Sequence, residues 1–358
     1  MQKVLITKAS YMDCRRAVEE ALATFPVAVR GRKVLVKVNA MTSTEPEEGV
    51  VTHPAILQAL LDRLEEMGTG EVAVGDNPGI AYYGKNQSAF LGSTLGRVAG
   101  DRYLNLGKEA RALPFNPAFI NRVFVSRAVL DADVVISVPK FKTHARVGIS
   151  VALKNNFGTL PGAQKANLHH RAPAPLDFAR MLVDVYRLRP PDLIIVDGIL
   201  AMEGIGPYSK ELRYLGLLLA SDNGVALDAT VARMMGYDPD QVPLLRFAQA
   251  AGLGSYRKED IQVVGPWEPI PNFSRPPLED LTSSLPITYA GLMAETPNFR
   301  PRVDPSKCDG CRICAEVCPP GALTMANGLP HLEASLCVPC YCCQENCPRE
   351  AISMGRPG

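Results

Sequence analysis

Short apolar runs rich in β-branched residues alternate with amphipathic stretches along residues 1 to about 265. Residues 1–6 (MQKVLI), 33–38 (KVLVKV), 72–75 (VAVG), 134–138 (VVISV) and 193–196 (LIIV) read as strands, bounded by polar residues or turns. After the second run, Leu57, Leu60, Leu61 and Leu64 recur at helical spacing, which predicts a helix over 53–67 capped by Thr52 and stopped by Gly68. This alternation predicts an α/β N-terminal domain, residues 1–265, built on a mainly parallel sheet. Residues 80–125 break the rhythm with Gly84, Gly92, Gly96, Gly100 and Gly107 and are expected to form an insertion or lid. Proline then crowds residues 266–300, Pro286 among them, predicting a semi-stiff linker. Packing over the first domain is the alternative, since the chain's one tryptophan, Trp267, lies there.

Eight of the ten cysteines follow, in a pattern written twice. Cys308, Cys311, Cys314 and Cys318 are spaced C-x2-C-x2-C-x3-C before Pro319, and Cys337, Cys340, Cys343 and Cys347 repeat the spacing before Pro348. This is the bacterial ferredoxin arrangement, in which three thiolates of a run hold one [4Fe-4S] cube and the fourth crosses to the other. Cys308, Cys311, Cys314 and Cys347 are therefore expected to ligate one cluster, and Cys337, Cys340, Cys343 and Cys318 the second. Structural zinc prefers two CxxC-type pairs, and disulfide frameworks belong to small secreted domains. Past the ligands, Ala322-Leu323-Thr324-Met325 matches Ala351-Ile352-Ser353-Met354 at an offset of 29, so residues 301–358 read as a duplicated unit, a small α+β ferredoxin-type domain. Cys342 has no counterpart in the first run, where Ile313 stands, and reads as a spare thiol.

A length of 358 residues suggests two or three domains, and 47% hydrophobic with 21% charged residues is ordinary for a globular protein. A formal net charge of +1 gives no electrostatic case for nucleic acid or an anionic membrane. No apolar stretch reaches the length of a membrane span and the N-terminus does not resemble a cleavable signal, so a cytoplasmic location is expected. From Arg300 to Gly358 six basic residues balance six acidic ones, which suits a redox module wired to its own chain better than a strongly steered shuttle.

Ligands of open α/β sheets bind beyond the carboxyl ends of the strands. Lys37 and Asn39, Asp76 and Asn77, Lys140, Lys142 and His144, and Asp197 all sit at such ends and should share one rim. The stretch from Lys140 to His170 also carries Arg146, Lys154, Asn155, Asn156, Lys165 and His169. Taken singly, such cations are usually solvated; together they suit an anionic carboxylate or phosphate ligand, with His144 and His169 as proton donors. Asp76, Asp197 and Glu203 would make a hard-metal site if they met. No G-x-G-x-x-G or G-x-x-x-x-G-K-[ST] occurs, which argues against nicotinamide or P-loop nucleotide binding and leaves a flavin open.

Lys37-Val38-Asn39, Thr52-His53-Pro54, Gly75-Asp76-Asn77-Pro78-Gly79, residues 137–144 (SVPKFKTH), residues 153–158 (LKNNFG) and Val196-Asp197-Gly198 with residues 203–207 (EGIGP) resemble the motifs of domain-of-unknown-function family 362, over essentially the whole chain. The resemblance implies an iron-sulfur protein of anaerobic or facultative metabolism and no particular reaction. The expectation is an oxidoreductase that takes single electrons from an external low-potential donor through two clusters to a small anionic substrate or cofactor held by Lys140, Lys142, Lys154 and Lys165. A non-catalytic electron-transfer subunit docked on a larger redox complex, and a redox sensor or maturation protein, are the alternatives. The oligomeric state is not legible.

Overall fold

In the computed structural model, residues 1–278 and 294–356 are described. Eleven strands lie within residues 1–278: β1 (Gln2–Lys8), β2 (Lys33–Val38), β3 (Glu71–Gly75), β4 (Ala110–Pro114), β5 (Arg122–Ser126), β6 (Val134–Val138), β7 (Lys140–His144), β8 (Gly148–Ile149), β9 (Leu193–Met202), β10 (Leu212–Ser221) and β11 (Ile261–Val264). Nine form one sheet in the order β11-β1-β10-β9-β6-β2-β3, with β7 branching from β9 and β8 pairing with β7. The pairings β1/β11, β2/β3, β2/β6, β6/β9 and β7/β9 are parallel, so the fold is α/β with a mainly parallel sheet.

Alternating side chains separate two cores. Val4, Ile6, Leu35, Val135, Ile194 and Val196 face the helices Pro175–Leu188 and Gly224–Met234, whereas Leu5, Val34, Val36, Val134, Ile136 and Ile195 face the helices Arg15–Thr24 and Pro54–Glu66. Among the described residues, no helix is long and apolar enough to cross a membrane.

Several local expectations are corrected. The helix starts at Pro54, which suits a first helical position, and His53 is its cap, its Nδ1 accepting from the Ala55 amide at 3.1 Å. Thr52 Oγ1 instead accepts from the Asn39 amide and donates to the Val138 carbonyl, tying two strand ends together. Residues 140–144 are a strand and not a rim loop: Pro139, with no N–H to give, breaks the path, and β7 resumes alongside the distal half of β9. Asp197 accordingly lies inside β9 and does not end it. The insertion at 80–125 holds the short helices Asn86–Leu91 and Thr94–Ala99 and the β4/β5 hairpin.

The start of the proline-rich stretch is packed and not free. Phe273 is buried, Trp267 and Ile270 pack on the core beside it, and the Ile270 amide donates to the Met234 carbonyl. Residues 279–293 of the expected linker, Pro286 included, lie outside the described residues.

The cysteine-rich segment has β12 (Arg300–Val303) antiparallel to β15 (Ile352–Gly355) and β13 (Leu323–Ala326) antiparallel to β14 (Leu329–Leu332). Its duplication is structural as well as sequential: the one-turn helix Ile313–Glu316 recurs as Cys342–Glu345, preceded in each half by a left-handed residue, Arg312 at φ 70° and Tyr341 at φ 67°.

Candidate functional site

The two cysteine runs cross. Cys308, Cys311, Cys314 and Cys347 line one small cavity, and Cys318, Cys337, Cys340 and Cys343 line another. The fourth thiol of each run accepts an amide hydrogen bond at the same repeat position, Ala322 N–H to Cys318 Sγ and Ala351 N–H to Cys347 Sγ, both at 3.2 Å. Such donors stabilise a thiolate, so these residues fit an iron-sulfur cluster. Cys14 stands apart, buried with its Sγ on the Ala55 carbonyl, a structural contact.

The two halves differ in what they face. In the first, Asp309, Cys311 and Arg312 are exposed. Of the equivalent residues of the second, Val338 is half-buried, while Cys340 and Tyr341 turn toward the α/β domain and are only 6% and 5% exposed. The Ala163 amide donates to the Pro339 carbonyl at 2.9 Å, while Tyr341 packs with Ile80, Ala163 and Ala166 and meets Tyr83 edge-on at 5.8 Å. Glu345 completes the junction by accepting from the Asn86 amide and Asn105 Nδ2, both at 2.9 Å. At Gly162, with φ +59°, a Cβ would stand 2.4 Å from the Cys340 carbonyl oxygen. Gly162→Val is therefore expected to loosen the junction while leaving the α/β core folded, seen as faster proteolysis between residues 278 and 300 at unchanged helix content.

Tyr83 and Ile80 also line a cavity of about 360 Å³ in the α/β domain, within the size range of small-molecule sites. Lys37, Asn39, Asp76, Asn77, Lys140, Lys142, His144, Arg146, Lys154, Asn155, Lys165 and His169 border it, among apolar walls that include Val151, Phe157, Ile205 and Pro207. Most of the site residues expected from sequence thus come together. Asp197 and Glu203 are not among the lining residues.

An ammonium has three donors, and counting them separates the lysines. Lys37 spends its three on Asp76 Oδ1 at 2.7 Å, Asn155 Oδ1 and the Val38 carbonyl. Lys142 meets Asn39 Oδ1, the Val50 carbonyl and Met41 Sδ. Lys140 gives two to Asp197 and Tyr11, and Lys165 two to the carbonyls of Asn77 and Pro78. Lys154 Nζ has no hydrogen-bond or ion-pair partner among the described residues. The sequence grouped four lysines as ligand holders; the structure leaves Lys154 fully available and Lys140 and Lys165 partly so.

Two carboxylates offset two of these cations, so Lys142, Lys154, Lys165 and Arg146 form no salt bridge among the described residues. Burial lowers the pKa of Lys154 to about 8, helped by Lys37 and Arg146 and opposed by Asp76, and that of Lys165 to about 7. Lys142 is pushed well below its ordinary value by burial and then by Lys154. His144 and His169 are likewise held well below the usual imidazole range, first by burial and then by neighbouring cations. The expectation that they deliver protons does not suit this environment, because both are neutral at pH 7. His144 Nδ1 accepts from the Arg146 amide at 3.1 Å and His169 Nδ1 faces the Arg146 guanidinium at 2.9 Å, so each keeps its proton on Nε2.

Asp76, Asp197 and Glu203 do not gather into a metal site: they pair separately with Lys37, Lys140 and Arg213. Among the described residues no group of His, Cys, Asp or Glu converges on a single ion. Gly158 lies where a Cβ would stand 2.2 Å from Asp76 Oδ1 and 2.7 Å from Lys37 Nζ, so only glycine lets this loop close over the buried pair.

A family described as Domain of unknown function (DUF362) matches residues 34–233, and one described as 4Fe-4S binding domain matches residues 301–324. The chain belongs to the DUF362 family. With its ferredoxin domain it is an iron-sulfur electron-transfer protein. It is 33% identical over 234 residues to a thylakoid-associated protein of Synechocystis, covering 62% of this chain and 69% of that one. Among solved structures it is similar to a protein from Thermotoga maritima (TM-score 0.39, 14% identity, 60% of this chain and 55% of that) and to lactate racemase apoprotein from Thermoanaerobacterium thermosaccharolyticum (TM-score 0.39, 10% identity, 64% and 56%). The chain spans just over half of either, and neither likeness extends to function.

Two further residues of this DUF362 protein, Tyr11 and Asp228, help build the site. Tyr11 stacks on His53 at 3.5 Å, and its hydroxyl donates to Asp197 while accepting from Lys140. Asp228 accepts from the Ala152 and Leu153 amides at 2.8 and 3.0 Å, fixing the turn that presents Lys154.

Proposed function

We propose that the protein is a reductase in which two [4Fe-4S] clusters serve an acidic ligand in the α/β cavity. The observation that supports this most is the contact of Tyr341, set between second-run ligands Cys340 and Cys343, with Tyr83 on the cavity wall. A platform that merely docked on a larger complex would have no reason to turn one cysteine set onto a cation-rich cavity of its own. In this division residues 1–265 hold the ligand, 266–300 connect, and 301–358 carry the metal sites.

When bound, the clusters supply single electrons from a low-potential carrier, taken here as cytoplasmic. The rest falls to side chains. The exposed Cys311 loop offers the carrier a face, and the buried Cys340 loop fixes the other set against Tyr83. In the non-covalent complex Lys154 meets the acid group by charge-assisted hydrogen bonds, shared with the remaining donors of Lys140 and Lys165. With its pKa lowered to about 8, Lys154 is also a better acid than an ordinary lysine and can return a proton to the reduced product. His144 and His169 orient the ligand through Nε2–H. A flavin would satisfy the same walls and cations through its apolar ring and phosphate.

Native mass spectrometry of the full-length protein, purified without oxygen, tests this. The expected mass exceeds two clusters by one acidic small molecule or flavin, and Lys154→Ala keeps the clusters but loses the excess. A mass accounted for by clusters alone in both proteins would favour the docking-subunit reading.

A further inference from the structure

We propose that Lys154 is a nucleophile that forms an imine with a ligand bearing both a carbonyl and an acid group, of which 2-oxo acids are the simplest class. This rests on the cavity being the ligand site and adds the chemistry it performs there. Three features of the geometry carry it. Lys154 Nζ borders the cavity and makes no hydrogen bond or ion pair among the described residues, whereas the other four lysines there are tethered to protein oxygens. Its position is fixed from behind, because both Asp228 oxygens hold the amides of Ala152 and Leu153 at the start of the turn Ala152–Asn155. The remaining work is divided around it: Lys140 and Lys165 each keep a donor for the acid group, and the Nε2–H groups of His144 and His169 are available to the carbonyl oxygen.

A lysine becomes nucleophilic when burial or neighbouring cations let it lose its proton near neutral pH. Lys37, Lys142, Lys165, Arg146, His144 and His169 border the same cavity, with Asp76 the one carboxylate opposing them. In the step, the neutral amine nitrogen bonds to the carbonyl carbon, one amine proton and one proton taken from solvent leave with the carbonyl oxygen as one water, the other amine proton stays on the now cationic nitrogen, and no electrons are exchanged. The resulting cationic nitrogen withdraws electrons from the adjacent ligand bonds, an activation that a salt bridge alone would not give.

The test uses the full-length holoprotein with glyoxylate or pyruvate as the probe and cyanoborohydride as the trap, followed by peptide mapping. The expected result, with the probe saturating, is one dominant adduct on Lys154, formed at least tenfold faster than on any other lysine, accelerating from pH 7 to 8.5 and blocked by excess malonate. Lys154→Arg should abolish it with iron content unchanged. Adducts spread evenly over exposed lysines, no adduct at all, or the same labelling in Lys154→Arg would overturn the proposal. Malonate binding, measured separately, shows whether the cavity still takes acids; if it does while trapping fails, only the imine is lost.

Discussion

Cys340→Ser is expected to remove about half of the iron and to free the C-terminal domain from the α/β domain, whereas Cys311→Ser removes a similar share of iron and leaves the junction intact. The difference follows from place. Serine is a harder and weaker ligand than thiolate, so either change should cost its cluster, and cluster binding and local folding are linked. Cys311 is exposed in a loop that touches solvent, but Cys340 is buried in the loop that carries Pro339 and Tyr341 onto Ala163 and Tyr83. Disorder there should also release Glu345 from Asn86 and Asn105. Iron analysis with limited proteolysis after residue 278 separates the two variants; equal protease sensitivity would show that the second cysteine loop does not hold the domains together.

Anion affinity should fall steeply with pH and with loss of Lys154. Lys154 and Lys165 have pKa values lowered to about 8 and about 7, so both are largely cationic only at about pH 6 and lose that charge as pH rises through about 7 and then about 8. Binding an acid favours the charged ammonium, so affinity is highest on the acid side and protons are taken up on binding. A charge-assisted hydrogen bond contributes about 1.5–3 kcal/mol, roughly 10- to 150-fold in affinity. Titration calorimetry with malonate between pH 6 and 9 should show a loss of that order, and Lys154→Ala should lose as much at pH 6.5. An affinity independent of pH would mean that these lysines do not contact the ligand.

The metal-binding residues were legible because ligand spacing is local: a two-residue gap between cysteines constrains backbone around a cube whatever surrounds it. The apolar runs gave strands for the same local reason. What could not be read was pairing at a distance. Nothing in sequence says that Lys37 meets Asp76 and Lys140 meets Asp197, contacts that consume donors of two lysines placed at the rim. His144 and His169 looked like proton donors because imidazole titrates near neutral pH, and only three-dimensional burial beside Arg146 and Lys154 makes them neutral. Thr52 lost its capping role to His53 because Asn39 and Val138 claimed its hydroxyl. The repeat announced two similar halves, but that Tyr341 stands where the first half has Arg312 gains its meaning only from Tyr83 lying opposite.

Anomalous diffraction at the iron edge, from crystals of the full-length protein grown without oxygen, is the most direct test. Two iron-rich peaks are predicted, one within Cys308, Cys311, Cys314 and Cys347 and one within Cys318, Cys337, Cys340 and Cys343, the second on the Tyr341 side facing the cavity. A single peak, or a zinc signal at either quartet, would contradict the account.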